Sequence, residues 1–197
     1  DALARAWLWL LPGALAGCSL VVDLGVSVYE VEALASGRRF SCAQLQPDGP
    51  LLCWGANMRG QCGIGRAGES ASNIDWPHPV VGLDQVSQFA LGGEHACAVD
   101  LDGALWCWGD NNYRQTGIEG TPLVVSPTAV AFGGAIHSLT AGETFTCLMS
   151  EGAAWCFGDN RHRVVDGGAA ENLRVTPTQV ATSTAVVQVR AGAQHAC

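Results

Sequence analysis

A glycine followed five residues later by a cysteine recurs four times in this chain, at Gly37 and Cys42, Gly92 and Cys97, Gly142 and Cys147, and Gly192 and Cys197. Those cysteines lie 55, 50 and 50 residues apart. A fixed period of that length constrains the fold more than any local signal, because each copy must be one supersecondary unit packed on the next. The first three copies continue with a second cysteine, an aromatic and a glycine: Cys53-Trp54-Gly55, Cys107-Trp108-Gly109 and Cys156-Phe157-Gly158. Two residues beyond each of those glycines stands an asparagine, Asn57, Asn111 or Asn160.

The unit reads as a β-hairpin. If Cys97 faces Cys107 across an antiparallel pair, Val99 faces Leu105, Ala98 faces Trp106, and Leu101-Asp102-Gly103 remains as the loop. A three-residue loop ending in Gly is a common hairpin closure, since Gly takes the left-handed conformation that completes it. In the other copies the paired cysteines are 11 and 9 residues apart, and the turns Pro47-Asp48-Gly49-Pro50 and Glu151-Gly152 absorb the difference. Directly opposed positions that share no backbone hydrogen bonds approach the Cβ separation a disulfide needs. The expected pairs are Cys42 with Cys53, Cys97 with Cys107, and Cys147 with Cys156. Separate reduced thiols are a second reading. Zinc is a third, with His95 near Cys97 and Cys107, although no two cysteines stand at the two-to-four-residue spacing of a zinc knuckle.

Between the hairpins lie a polar Gly-bearing loop, then a Pro-containing short strand (Pro79-Val80-Val81, Pro127 to Val130, Pro177 to Val180), then an apolar strand (Val86 to Leu91, Val186 to Ala191). About four short strands per period, without helical periodicity, predict the four-stranded blade of a β-propeller. The fold class expected is therefore all-β.

The chain opens with Arg5 and an apolar run, Ala6-Trp7-Leu8-Trp9-Leu10-Leu11. This run is too short to span a bilayer and has the shape of a secretory signal. Leu15-Ala16-Gly17-Cys18 then resembles a bacterial lipobox, which implies removal of residues 1–17 as a signal peptide and lipidation of Cys18. A buried strand or helix bearing an ordinary cysteine is the other reading. Residues 18–35 form the lipidated N-terminus and a lead-in strand, with Val26 to Val31 alternating as the first strand of blade one or a strand lent to the last blade. Residues 36–197 form a partial propeller, with repeats starting near 37, 92, 142 and 192.

Nine cysteines suit an oxidising compartment. With a net charge of −8 and all ten basic residues arginine, the chain has no basic tract, so nucleic acid is not an expected partner. The only membrane attachment expected is the lipid anchor, which places the chain on the outer membrane, the cell surface or the periplasmic face.

Gly92-x-x-His95-Ala96-Cys97-Ala98-Val99, Gly103-x-Leu105-Trp106-Cys107-Trp108-Gly109-Asp110-Asn111, Gly60-Gln61-Cys62-Gly63 and Arg114-Gln115-Thr116-Gly117 resemble the regulator of chromosome condensation repeat family. The match is nearest to its cysteine-bearing version in exported bacterial proteins. The third copy departs from the pattern at Arg163-Val164-Val165-Asp166. The resemblance implies a propeller of about seven blades, of which three and the opening of a fourth are present, so a longer protein is expected.

Relatives in that family include exchange factors for small GTPases, an inhibitor of β-lactamase and a light sensor with clustered tryptophans. Here Trp54, Trp106, Trp108 and Trp155 fall at fixed repeat positions, where filling the core accounts for them. Cys62 stands where the family has Leu and is expected to be a buried apolar residue. No nucleophile elbow, phosphate-binding loop or His-Glu-x-x-His motif occurs, and His95, His195, Glu94, Asp100, Asp102 and Asp110 follow the repeat. No catalytic residue, cofactor or metal is expected.

Residues 56–66, 110–120 and 159–170 leave the same strand of successive blades, so they should gather on one face. Met58, Arg59, Asn112, Tyr113, Arg114, Arg161, His162 and Arg163 give that face residue types enriched at protein contacts. The expected function is a non-catalytic, lipid-anchored protein-binding module. The alternatives are an exchange-factor-like regulator of a small GTPase, or an extracellular enzyme inhibitor or surface hydrolase whose site lies elsewhere.

Overall fold

The computed structural model describes residues 22–23, 28–46, 49–165 and 172–197. The expected signal peptide, Cys18, and parts of the turn at 47–48 and of the loop at 166–171 lie outside them. Strands β1 (Val22–Asp23) and β2 (Val28–Tyr29) pair as a small hairpin. Three four-stranded antiparallel sheets follow, each with its strands in chain order. Blade one holds β3 (Val31–Ser36), β4 (Phe40–Leu45), β5 (Leu51–Ala56) and β6 (Asn73–Pro79). Blade two holds β7 (Val86–Leu91), β8 (His95–Asp100), β9 (Leu105–Asp110) and β10 (Leu123–Val130). Blade three holds β11 (Ser138–Ala141), β12 (Phe145–Ser150), β13 (Ala153–Asp159) and β14 (Leu173–Gln179). The strands β3, β7 and β11 are innermost: their C-terminal ends, with Ala191 to Ala193, line a common central cleft.

The central hairpin has the register expected from its sequence. Cys97 faces Cys107, Ala98 faces Trp106 and Val99 faces Leu105. Gly103 closes the loop at φ +85°, and the Asp100 side chain accepts from the Ala104 amide and from the Trp106 indole at 2.8 Å each. Blade three uses a two-residue turn in which Glu151 and Gly152 both have positive φ, 51° and 76°. That is the type I′ geometry whose twist matches paired strands. In all three hairpins the cysteines face each other with Cα atoms 4.1 Å apart and are joined as disulfides. This spacing is that of a narrow pair without mutual backbone bonds.

The recurring Gly-x-x-Phe or Gly-x-x-His has a steric reason. A Cβ on Gly92 would lie 2.1 Å from the His95 ring, and one on Gly142 would lie 2.1 Å from the Phe145 ring. The aromatic folds back onto the bare glycine, so the turn tolerates no larger residue. Gly109 is equally constrained, with φ +103° and an imagined Cβ 2.6 Å from the Glu94 carbonyl oxygen.

Three expectations need correction. The first strand of blade one is β3, at residues 31–36, rather than Val26 to Val31. Its alternate residues are half-buried and pair with β4, while Val28–Tyr29 pairs with β1. The outermost strands contain their prolines instead of starting at them, and Val80 and Val81 lie beyond β6. An edge strand accepts Pro because one row of its amides has no ladder partner. The register of each outer strand shifts beside its proline, between Ile74 and His78, Val124 and Thr128, and Arg174 and Thr178. Finally, Val186 to Ala191 is no strand. Ala191 forms an isolated bridge with Ala196, and Arg190 and Cys197 exchange two backbone bonds.

The cores lie between blades. In β8 the residues alternate in direction: Ala96 and Ala98 pack with Trp108 toward blade one, against Cys42, Cys53 and Leu51, whereas Cys97 and Val99 pack toward blade three with Leu148 and Phe157. Blade two, packed between its neighbours, buries both faces, which is why the strands of its hairpin read as nearly continuous apolar runs.

Candidate functional site

Because β3, β7 and β11 run into their following hairpins at the same end at which β5, β9 and β13 finish, two sets of segments share one face. One set is the short turns 37–39, 92–94 and 142–144. The other is the long loops after β5, β9 and β13. The second set was anticipated from the sequence and the first was not, although the pairing of Phe40 with Gly55 and His95 with Gly109 requires it.

The long loops are shaped by their repeated asparagines, all buried. Asn57 Oδ1 accepts from the Cys62 amide at 2.9 Å, Asn111 Oδ1 from Thr116 at 3.2 Å and Asn160 Oδ1 from Val165 at 3.1 Å. Asn57 Nδ2 donates to the Arg66 carbonyl, and Asn111 Nδ2 donates to those of Ile118 and Thr121. The Gln61 side chain accepts from the Arg59 amide, and Gln115 accepts from the Tyr113 amide while donating to Asp110 at 2.7 Å. The third copy has Val164 where this glutamine stands, and there the Asp159 carboxylate accepts from the Arg161 amide at 3.0 Å. These bonds hold residues 57–66, 110–121 and 159–165 in place before any partner arrives.

Charge pairs then tie blade to blade. Arg59 of blade one reaches both Glu94 and Asp110 of blade two at 3.8 Å, and Arg39 pairs with Glu94 at 2.9 Å. Arg38 reaches Glu143 of blade three at 3.3 Å. Arg161 forks onto Asp159, its Nη2 at 2.6 Å, and lies 4.6 Å over the Tyr113 ring of blade two. Burial alone would raise the Asp159 carboxyl, but the Arg161 hydrogen bonds and charge outweigh it and hold the group below its ordinary value. The Arg161 guanidinium is raised in turn, first by its bond to Asp159.

The eight residues expected on this face therefore divide. Arg59, Asn112, Tyr113 and Arg161 join the network, Asn112 through the Asp110 carboxylate. Met58, 48% exposed, and His162 stand open to solvent, and His162 borders a cleft of about 330 Å³ whose walls include Glu94, Asp110, Tyr113 and Asp159. Arg114 and Arg163 carry positive φ, 64° and 56°, at the loop position that blade one fills with Gly60. Arg38, Arg39 and Glu143 were missed by the sequence reading. Their signal was the hairpin register.

Other flagged residues take packing roles. Trp108 is fully buried and its indole donates to the Gln61 carbonyl at 2.9 Å, joining blade two to blade one. Trp54, Trp106 and Trp155 are partly buried against the cores. The Cys62 thiol is buried, donates weakly to the Ala56 carbonyl, and is pushed up to about 12 by desolvation. Cys197 is exposed and unpaired among the described residues. His95 is buried between blades two and three. Thr146 donates its hydroxyl to the Gln115 carbonyl at 2.9 Å, so its oxygen accepts from His95 Nε2–H at 2.9 Å, and His95 Nδ1 is left bare and without a partner.

Desolvation lowers the His95 pKa to about 3. Because the unfolded imidazole takes up its proton near 6.5 and the folded one near 3, the stabilisation by neutral His95 is complete above pH 6.5 and is lost as the pH falls toward 3. Its slope is about 1.4 kcal/mol per pH unit in that window. His95→Phe, which installs the residue of the other two blades, should flatten the slope between pH 6 and about 4 in urea titrations. An unchanged slope would mean that other groups govern the acid response.

Among the described residues no cluster of three or more His, Cys, Asp or Glu could hold a metal ion. Comparison with known proteins gives the same repeat twice. Residues 48–99 and residues 86–115 match models of the "Regulator of chromosome condensation (RCC1) repeat". The chain is 30% identical over 158 residues to the human probable E3 ubiquitin-protein ligase HERC3, covering 78% of this chain and 15% of that protein. It is 29% identical over 103 residues to the Arabidopsis thaliana ultraviolet-B receptor UVR8, covering 51% of this chain and 22% of the receptor. Yeast RCC1 (Prp20) bound to Kap60 superposes with a TM-score of 0.76 at 24% identity, covering 84% of this chain and 41% of that one. A second Prp20 structure, described with its binding to Gsp1p and histones, gives 0.75 at 24% identity. The chain thus spans well under half the length of each of these proteins.

Proposed function

This chain is an RCC1-type repeat protein, and from that premise we propose that its blades form a non-catalytic protein-binding module, exported and held at the membrane by a lipid on Cys18. The observation that carries the binding reading is the continuity of one face. Arg59 links the loop of blade one to blade two, and Arg161 on Tyr113 links blade two to blade three, so the described residues of three loops form one connected surface. Rigid scaffolds place recognition on such loops. The Prp20 structures, described with Kap60, Gsp1p and histones, make a protein partner the natural class. The ligase activity in the name of HERC3 belongs to a protein of which this chain matches 15%, and it is not carried over.

Export is supported by the apolar run before Leu15-Ala16-Gly17-Cys18 and by three hairpins closed by disulfides, which persist in oxidising compartments. The test of the binding face is site-specific photo-crosslinking in the host cell from Tyr113 and His162, with Leu101 as the control on the opposite end of blade two. Leu101 is 59% exposed, so it is open to a probe. Discrete adducts from Tyr113 and His162 but not from Leu101 are expected. Adducts from Leu101 alone would put the partner on the other face.

A further inference from the structure

Blade three departs from blade two at the end of the sheet away from the binding face. Strand β12 begins at that face and ends at Ser150, the position that blade two fills with Asp100, since Cys147 stands where Cys97 does. In blade two the Asp100 carboxylate accepts from the Trp106 indole at 2.8 Å and borders a small hollow of about 220 Å³. Ser150 offers no carboxylate, and Trp155, the counterpart of Trp106, has no hydrogen-bond partner for its indole among the described residues. The hollow here opens to about 520 Å³, within the range of small-molecule sites. Gly134 keeps it open on the side of the linker, because a Cβ there would lie 2.4 Å from Ser150 Oγ and 3.2 Å from the Phe132 ring. Ser150 is itself only 2% exposed, and its hydroxyl makes no hydrogen bond within the described residues. A buried hydroxyl left without a partner costs stability, and this one lines the cavity.

We propose that this cavity is a binding site for a neutral saccharide. Phe132 and Trp155 form one wall, their ring centroids 5.5 Å apart and their planes at 74°. Gln179 stands directly across from Trp155 on β14, so both side chains project from the same face of the sheet. The exposed Glu151 borders the cavity as well. The hydrogen-bonding types of these groups select the ligand. The indole N–H only donates and the carboxylate only accepts, while the Ser150 hydroxyl and the Gln179 amide do both. Hydroxyl groups, which donate and accept, satisfy every one of them. An ammonium ion accepts nothing and leaves the indole unmet. Phosphates and other anions are disfavoured, because no basic side chain is among the described residues that line the cavity and Glu151 repels them. A peptide added as a further strand is opposed by Pro177, which lacks an amide and shifts the register of β14 beside it. A sugar ring also has a C–H face to lie against the aromatic wall while its hydroxyls reach the polar groups around it.

The experiment uses the full chain with cellobiose, maltose, lactose and N,N′-diacetylchitobiose as probes, saturation-transfer NMR to detect binding and tryptophan fluorescence to titrate it. At least one of these disaccharides is expected to bind. Ser150→Asp, which installs the carboxylate of blade two and satisfies the indole from within, should weaken that binding by about tenfold or more. Gln179→Ala, at an exposed position, should weaken it by about five- to tenfold with the thermal midpoint unchanged, and it decides the matter if Ser150→Asp fails to fold. A wild type that binds none of the probes overturns the proposal, and so does undiminished binding in the folded variants. Displacement of the bound sugar by an equal concentration of tetramethylammonium would make the cavity a cation site and overturn it as well.

Discussion

Reduction of the folded chain should destabilise it by about 2 to 3 kcal/mol for each hairpin, and by roughly three times that when all three are opened. The paired cysteines are 11, 10 and 9 residues apart, so each bond removes the entropy of a short closed loop from the unfolded ensemble. A typical domain is stable by only about 5 to 15 kcal/mol, so full reduction should bring the chain near its unfolding midpoint at ambient temperature. The six cysteines are almost wholly buried, and the freed thiols remain packed between blades, so the loss comes from the cross-link rather than from the core. Denaturant titration with and without a phosphine reductant measures it, with Cys97→Ala/Cys107→Ala isolating one bond. Cys62→Ala should not reproduce the effect, because that thiol is in no bond. A titration insensitive to reductant would mean that the cross-strand pairs are not formed in solution.

The second large effect concerns docking of one blade on the next. Trp108→Ala should cost about 3 to 5 kcal/mol, since it empties a fully buried site in the core between blades one and two. It also leaves the Gln61 carbonyl without its indole donor. Trp108→Phe, the residue that blade three carries as Phe157, should keep most of the apolar contact and lose about 1 to 2 kcal/mol with the hydrogen bond. The order wild type, Phe, Ala in denaturant midpoint is the expected result. An Ala variant within about 1 kcal/mol of wild type would mean that the blades do not pack on each other through this face.

The hairpin was legible in the sequence to the residue. Its register follows from Cys97 opposite Cys107 and from a loop that only Gly103 can close, and both are local facts. The face was half legible. The loops after β5, β9 and β13 carry a repeated asparagine, but what lies beside them depends on strand direction, and so the turns with Arg38, Glu94 and Glu143 were overlooked. Contacts across 51 residues, such as His95 with Thr146, obey no pattern visible within one period, because a blade's neighbours are chosen by stacking. The outer strands misled for the opposite reason. They begin before the prolines from which the sequence pattern starts them, because at an edge Pro77, Pro127 and Pro177 interrupt nothing but the register.

Compartment decides between an exported binding module and an exchange-factor-like regulator of a small GTPase, which would work in the cytosol. The most direct measurement is therefore the intact mass of the protein produced in a bacterium, alkylated with and without prior reduction. A chain beginning at Cys18 with acyl mass added, and with Cys42, Cys53, Cys97, Cys107, Cys147 and Cys156 alkylated only after reduction, is the result expected. An unprocessed chain with every one of those thiols alkylated before reduction would contradict it, and would place both the lipid anchor and the disulfide hairpins outside the account.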